Sequence, residues 1–162
     1  MTTVSRMEND QSLWKLRRPK LYIDIDGVLL GKRTSNDHEI CLAEGAVEFL
    51  EFALAQFDCY WLTTHANHGY IGPALRALKP YADKPFMELA WKVKPVKWAT
   101  LKTEAIDLEC DFYWLDDQLL AVEREILEEH GRVDRWIRVD TRVNYSDLVR
   151  ARQHLARIIE RI

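Results

Sequence analysis

Short apolar runs alternate with helix-period patterns along this chain. Residues 21–25, Leu-Tyr-Ile-Asp-Ile, read as a strand that runs into Asp26-Gly27. Residues 44–57 carry Ala46, Val47, Phe49, Leu50, Ala53, Leu54 and Phe57 at helical spacing. A second strand is expected over 59–63 and a short helix over 70–78. The stretch 81–93 fits neither period cleanly, and a strand is expected within it at 86–89. Pro95 suits the first turn of a helix running to about residue 106. Residues 111–115 form a third strand that ends at Asp116-Asp117. A helix over 119–130 is stopped by Gly131. Residues 135–139 form a fourth strand, and Ser146 is placed to N-cap a last amphipathic helix over 147–162. Strands alternating with helices predict an α/β fold. Its sheet is mostly parallel, covered on both faces by right-handed crossovers.

At 162 residues the chain makes one domain. Residues 1–19 are polar and irregular and are expected to form a flexible N-terminal arm, with Leu13, Trp14 and Leu16 docking on the body. The single domain then spans 20–162. Hydrophobic residues at 48% and charged residues at 30% give a globular balance, which argues against disorder. The formal charge of −3 provides no global basic field for nucleic acid. Lys15, Arg17, Arg18 and Lys20 cluster locally and read as a solvated face. No apolar run reaches the length of a membrane span, and the first residues carry no apolar signal core. Cys41, Cys59 and Cys110 are odd in number and form no CxxC pair, which suits reduced thiols in the cytoplasm.

In parallel α/β sheets the ligand sits at the carboxyl ends of the strands. Asp24 and Asp26, Thr63 and Thr64, and Asp116 and Asp117 all fall there. Each has an ordinary reading as well. Asp-Gly is common turn chemistry, threonine favours strand ends, and an acidic pair caps a following helix. Together they aim several carboxylates at one place, and these repel unless a cation or protons neutralise them. An all-oxygen set favours a hard ion, with Mg²⁺ the best fit because it leaves room for a phosphate oxygen. His65 and His68 invite a zinc reading, but such spacing on a short helix more often marks solvated surface or a touch on substrate. Trp61 and Trp114 fall inside strands and read as core. Trp91 and Trp98 flank Lys94, where core packing is the expectation and the site mouth the alternative.

LYIDIDGVLL, WLTT, KPVKWATLKTEAI and FYWLDD resemble, in order, the four motifs of the haloacid dehalogenase superfamily. The resemblance implies a HAD-like, Rossmann-like three-layer sandwich. By the same resemblance Asp24 is a nucleophile that forms an aspartyl-phosphate. Asp26 is the general acid and base, and it lends its backbone carbonyl to Mg²⁺. Thr63 hydrogen-bonds the phosphoryl oxygens. A lysine offsets their charge; Lys94 is the choice because it precedes Pro95, with Lys92, Lys97 and Lys102 as competitors. Asp24, Asp26 and Asp117 hold the metal, with Asp116 ligating through water or orienting, and the two adjacent acids can exchange roles.

An acid two positions after the nucleophile favours phosphatase over dehalogenase chemistry within the superfamily. The stretches 28–45 and 65–93 are too short for a large cap domain. Small capless relatives, including domains related to those of RNA-repair proteins, act on phosphorylated macromolecules or nucleotide ends, or borrow a neighbouring subunit as a lid. The expectation is therefore a Mg²⁺-dependent phosphomonoester hydrolase. Its substrate is a phosphorylated nucleic-acid end or other macromolecule, and a homodimer is the alternative way to close the site. The alternative in kind is a HAD-like binding or regulatory domain with little turnover. A phosphoacceptor receiver domain requires its aspartate on the third strand, whereas this DxDG lies on the first.

Overall fold

The computed structural model describes residues 18–162. The docking residues Leu13, Trp14 and Leu16, and most of the expected arm, lie outside the described residues. Residues 18 and 19 belong to the body: the Pro19 carbonyl accepts the Asp58 N–H at 3.0 Å, and the Arg18 guanidinium donates to the Leu54 carbonyl at 3.3 Å.

Four strands form the central sheet: β1 (Lys20–Ile23), β4 (Asp58–Trp61), β5 (Phe112–Asp116) and β6 (Trp136–Arg138). They run parallel in the order β4-β1-β5-β6, with β1 at the centre between Ile23↔Trp61 and Ile23↔Leu115 pairings. Alternation along β1 and β5 sends Leu21, Ile23, Tyr113 and Leu115 to one face and Tyr22, Phe112 and Trp114 to the other. Both faces are buried, as a parallel sheet requires. The first is covered by α1 (Ala46–Gln56), α2 (Gly72–Leu78), α3 (Lys84–Ala90) and α5 (Asp147–Glu160), through Phe49, Leu50, Leu75, Phe86, Leu148 and Leu155. The second is covered by α4 (Ala121–Glu129) and the irregular stretch 96–108, through Leu127 and Ile106. The architecture is α/β and consistent with a Rossmann-like fold. Because α2 and α3 join this core, they form no separate cap over the sheet edge.

Three expectations change. Residues 86–89 are helical, within α3. Asp83 accepts the Phe86 N–H at 3.1 Å as N-cap, Pro85 sits in the first turn, and Phe86 and Ala90 are buried on one side. The helix expected over 95–106 is reduced to a 3₁₀ turn at Lys102–Ala105. The Glu104 carboxylate accepts the N–H groups of Ala99, Thr100 and Leu101 at 2.9–3.0 Å, so these donors are spent on a side chain before any α-helical ladder forms. Ser146 does sit at the N-cap of α5, but its hydroxyl donates to Glu44 and caps nothing.

A two-stranded hairpin, β2 (Leu30–Gly31) with β3 (Cys41–Leu42), follows the first strand and was too short to register as a period. Trp61 and Trp114 are fully buried, whereas Trp91 is 63% exposed and is not core. Cys41, Cys59 and Cys110 are free thiols. Among the described residues no helix is long and apolar enough to cross a membrane.

Candidate active site

The site grows from the ends of the two central strands. The Asp24 N–H continues the ladder to the Leu115 carbonyl at 3.0 Å, and its own Oδ1 accepts the Ile25 N–H at 2.8 Å. The chain then turns sharply, with Val28, Leu29 and Leu30 donating back to the Ile25 carbonyl. Gly27 makes that turn possible at φ +74°; a Cβ there would also lie 2.6 Å from Asp117 Oδ2. Across from it, β5 delivers Asp116 and Asp117. The carboxylates of Asp24, Asp116 and Asp117 offer oxygens within 4.8 Å of one another. This set can hold a metal ion, and all its donors are hard oxygens.

The lysine that meets these acids is Lys102. Its Nζ lies 2.5 Å from Asp116 Oδ2 and 3.2 Å from Asp24 Oδ2, and the side chain is only 12% exposed. The Glu123 carboxylate, buried at the start of α4, accepts the Lys102 N–H at 2.9 Å and the Leu120 N–H at 3.2 Å, so it pins the lysine's backbone. The Trp114 indole N–H steadies Asp116 at 3.2 Å.

Lys94, the lysine chosen from sequence, is not brought to these carboxylates. It runs beside β4, with its Nζ 2.6 Å from Asp58, the first residue of that strand, at the opposite end of the sheet. Its selection rested on a helix at Pro95 that does not form.

The acids carry the signature of crowding in a buried place. Burial pushes Asp116 up to about 6, with the Asp24 charge adding to the rise and Lys102 opposing it. Asp117 is pushed up to about 6 by burial and by its contact with Asp116, against the pull of Arg142. Burial also holds Asp24 above the ordinary carboxylate range, although Lys102 opposes. Desolvation pulls the Lys102 ammonium down, but Asp24 and Asp116 outweigh it and the group stays above its ordinary value. Carboxylates outnumber cations in the cluster, so a bound dication relieves what protons otherwise must.

Asp26 stands apart from this trio. Its Oδ2 lies 2.7 Å from His65 Nε2, and its Oδ1 lies 3.9 Å from the Arg142 guanidinium, which also reaches 3.9 Å from Asp117. Thr63 is fully buried and anchors the turn after β4 by accepting the His65 N–H at 3.3 Å; its neighbour Thr64 is the threonine on the cleft wall. His68 is exposed, and neither histidine joins a cluster able to hold a metal among the described residues.

The cleft over the acids measures about 370 Å³ and is walled by Trp98, Thr100, Gln118, Leu120 and Arg142 in addition to the site residues. Trp98 packs against the core on the second face of the sheet, as expected, and also lines the mouth. A larger cleft of about 430 Å³ lies between β6 and α5, but its Asp147 and Arg150 pair with each other at 2.6 Å, and it holds none of this chemistry. Arg142 carries no mark in the sequence pattern, and His65 is marked there only as solvated surface or a touch on substrate. Both follow strand ends, Arg142 after β6 and His65 after β4, so the rule that found the aspartates also covers them. Comparison with known family models, curated proteins and solved structures finds no match to this chain.

Proposed function

We propose that the protein is a Mg²⁺-dependent phosphomonoester hydrolase that works through an aspartyl-phosphate on Asp24. The observation that carries this reading is the convergence of Asp24, Asp116 and Asp117 within 4.8 Å, with Lys102 bridging two of them. Mg²⁺ held by these carboxylates supplies positive charge against the phosphoryl oxygens.

The chain's own residues do the rest. Asp24 is fixed by the Ile25 N–H and attacks phosphorus; the new P–O bond forms as the ester P–O bond breaks. Asp26 gives its proton to the departing oxygen. Asp26 then takes a proton from water as that water attacks phosphorus, which releases inorganic phosphate and returns Asp24 as a carboxylate. Lys102 offsets the charge of nucleophile and phosphoryl group, and Thr64, which lines the cleft, bonds a phosphoryl oxygen through its hydroxyl.

The open cleft supports an extended substrate, such as a phosphorylated nucleic-acid end or another macromolecule. Binding energy along its length would position the phosphate. Turnover of an aryl phosphate with Mg²⁺ tests the reading. Asp24→Asn is expected to stay folded and lose that turnover, and a fully active Asp24→Asn contradicts the assignment.

A further inference from the structure

We infer that His65 is a positioning residue for Asp26: it occupies one carboxyl oxygen so that the other carries the proton to the leaving group. This rests on the phosphohydrolase reading and adds a part to it that neither the four motifs nor the acid cluster supplies.

Asp26 needs such a part. It lies outside the carboxylate trio, and its side chain is 40% exposed. A carboxylate that free samples several rotamers, whereas a general acid must hold hydrogen-bond distance to one oxygen. The basic side chains within 4 Å of it among the described residues are His65 and Arg142. Arg142 at 3.9 Å is beyond hydrogen-bond reach and contributes field without direction. His65 Nε2 at 2.7 Å from Oδ2 is within it and gives that oxygen a directional partner.

The histidine is itself held in place. Ile23 and Trp61 are paired across β1 and β4, so the turns that leave these strands lie side by side and bring residues 26 and 65 together. The turn after β4 is closed by the His65 N–H to Thr63 Oγ1 at 3.3 Å and by the Ala66 N–H to the Thr63 carbonyl at 3.3 Å. Thr63 and Ala66 are both buried, which anchors the turn to the core. With the ring Nε2–H of His65 donating to Oδ2, Oδ1 is the oxygen left to bear the proton.

The test exploits leaving-group chemistry. A p-nitrophenolate leaves with little help, whereas an alkoxide requires the proton. We would measure kcat/KM, which reports through cleavage of the ester P–O bond, for p-nitrophenyl phosphate and for 2-phenylethyl phosphate with Mg²⁺. A general acid contributes roughly 10²–10⁴-fold, so a misplaced one loses part of that. His65→Ala is expected to lose about 10- to 100-fold on the alkyl ester and about twofold or less on the aryl ester. His65→Gln, which keeps a neutral donor, is expected to recover most of the loss. The melting temperature is expected to move by no more than about 2 °C, because the contact is largely exposed.

Equal losses on both esters, or no loss on either, overturn the inference while Asp24→Asn is inactive on both. A fully active Asp24→Asn overturns the site reading itself and this inference with it.

Discussion

Replacing Lys102 by Met removes the cation that lies between Asp24 and Asp116 and keeps a side chain of similar length. At 3.2 Å and an effective dielectric of about 20, its attraction to Asp24 is about 5 kcal/mol, and at 2.5 Å its attraction to Asp116 is about 7 kcal/mol. Desolvation of a nearly buried ammonium offsets much of this, and breaking such a pair from one side costs about 3–5 kcal/mol. Protonation limits the loss. Asp116 already sits at about 6, so near pH 7 it can take a proton for about 1–2 kcal/mol. The expected destabilisation of Lys102→Met is therefore about 2–4 kcal/mol at pH 7, smaller at pH 5.5, where the acids protonate more readily. Lys102 sits above its ordinary 10.5, so its stabilisation is present throughout the neutral range and is lost only as pH rises through its folded value.

Lys94→Met is the control, because its ion pair is surface-exposed on the lysine side at 58% and is worth at most about 1 kcal/mol. Urea unfolding in a chelating buffer measures both variants without metal compensation. Loss of a charge-stabilising group in the transition state is also expected to lower kcat/KM by about 10²–10³ for Lys102→Met, with Lys94→Met within about twofold of the parent. Equal effects of the two substitutions would refute the placement of Lys102 as the site lysine.

The raised acids give the metal-free protein an unusual pH profile. Asp116 and Asp117 titrate at about 6 in the folded chain against an ordinary 3.8, so the folded state binds the extra protons between these values. The resulting penalty is absent below about pH 3.8 and complete above about pH 6. Stability is expected to rise as pH falls from about 6.5 to 4.5 in chelator, and a steady fall across that window contradicts it. Asp107 and Asp58 are held below the ordinary carboxylate range, so the stability they add is lost only as pH drops below about 4. Asp117→Asn is expected to stabilise the metal-free protein at pH 7.5 by about 1–2 kcal/mol and to abolish the rise in melting temperature that millimolar Mg²⁺ gives the parent; an unchanged Mg²⁺ shift contradicts the metal assignment. Gly27→Ala is expected to cost about 2 kcal/mol or more, from φ +74° and the approach of Asp117 to 2.6 Å, and to weaken the same Mg²⁺ shift; near-parental values for both refute the claim that this glycine seats Asp117.

The sheet was legible because each strand is a short apolar run ending in polar residues. Such a run survives in the structure as β1, β4, β5 and β6, with ends that differ from the expected ones by a residue or two. Asp24, Asp116 and Asp117 were legible for the same reason: their side chains follow from where a strand stops. Residues whose place depends on irregular backbone were not. Lys102 reaches the acids because Glu104 gathers three N–H groups and Glu123 holds the lysine's own, and neither bond leaves a periodic trace. Pro95 resembles a helix start, which favours Lys94, yet the same segment is drawn into bridges with β4 and with the turn after it. Helix α3 was obscured because Pro85, Phe86, Met87 and Leu89 fill one short stretch in which either period fits; the Asp83 cap decides it. The contact between Asp26 and His65 required knowing that β1 and β4 are neighbours, which the order of the strands in sequence does not specify.

The central claim is that Asp24 carries the phosphoryl group, and trapping the phosphoenzyme tests it most directly. Asp26→Asn removes the group that activates water, so with an aryl phosphate, whose leaving group needs little protonation, the covalent species is expected to accumulate. Acid quench at short times, followed by mass spectrometry of the proteolytic peptides, is expected to place one phosphate on Asp24. Phosphate on any other residue, or steady release of phenolate with Asp24 unmodified and Asp24→Asn equally active, contradicts the account.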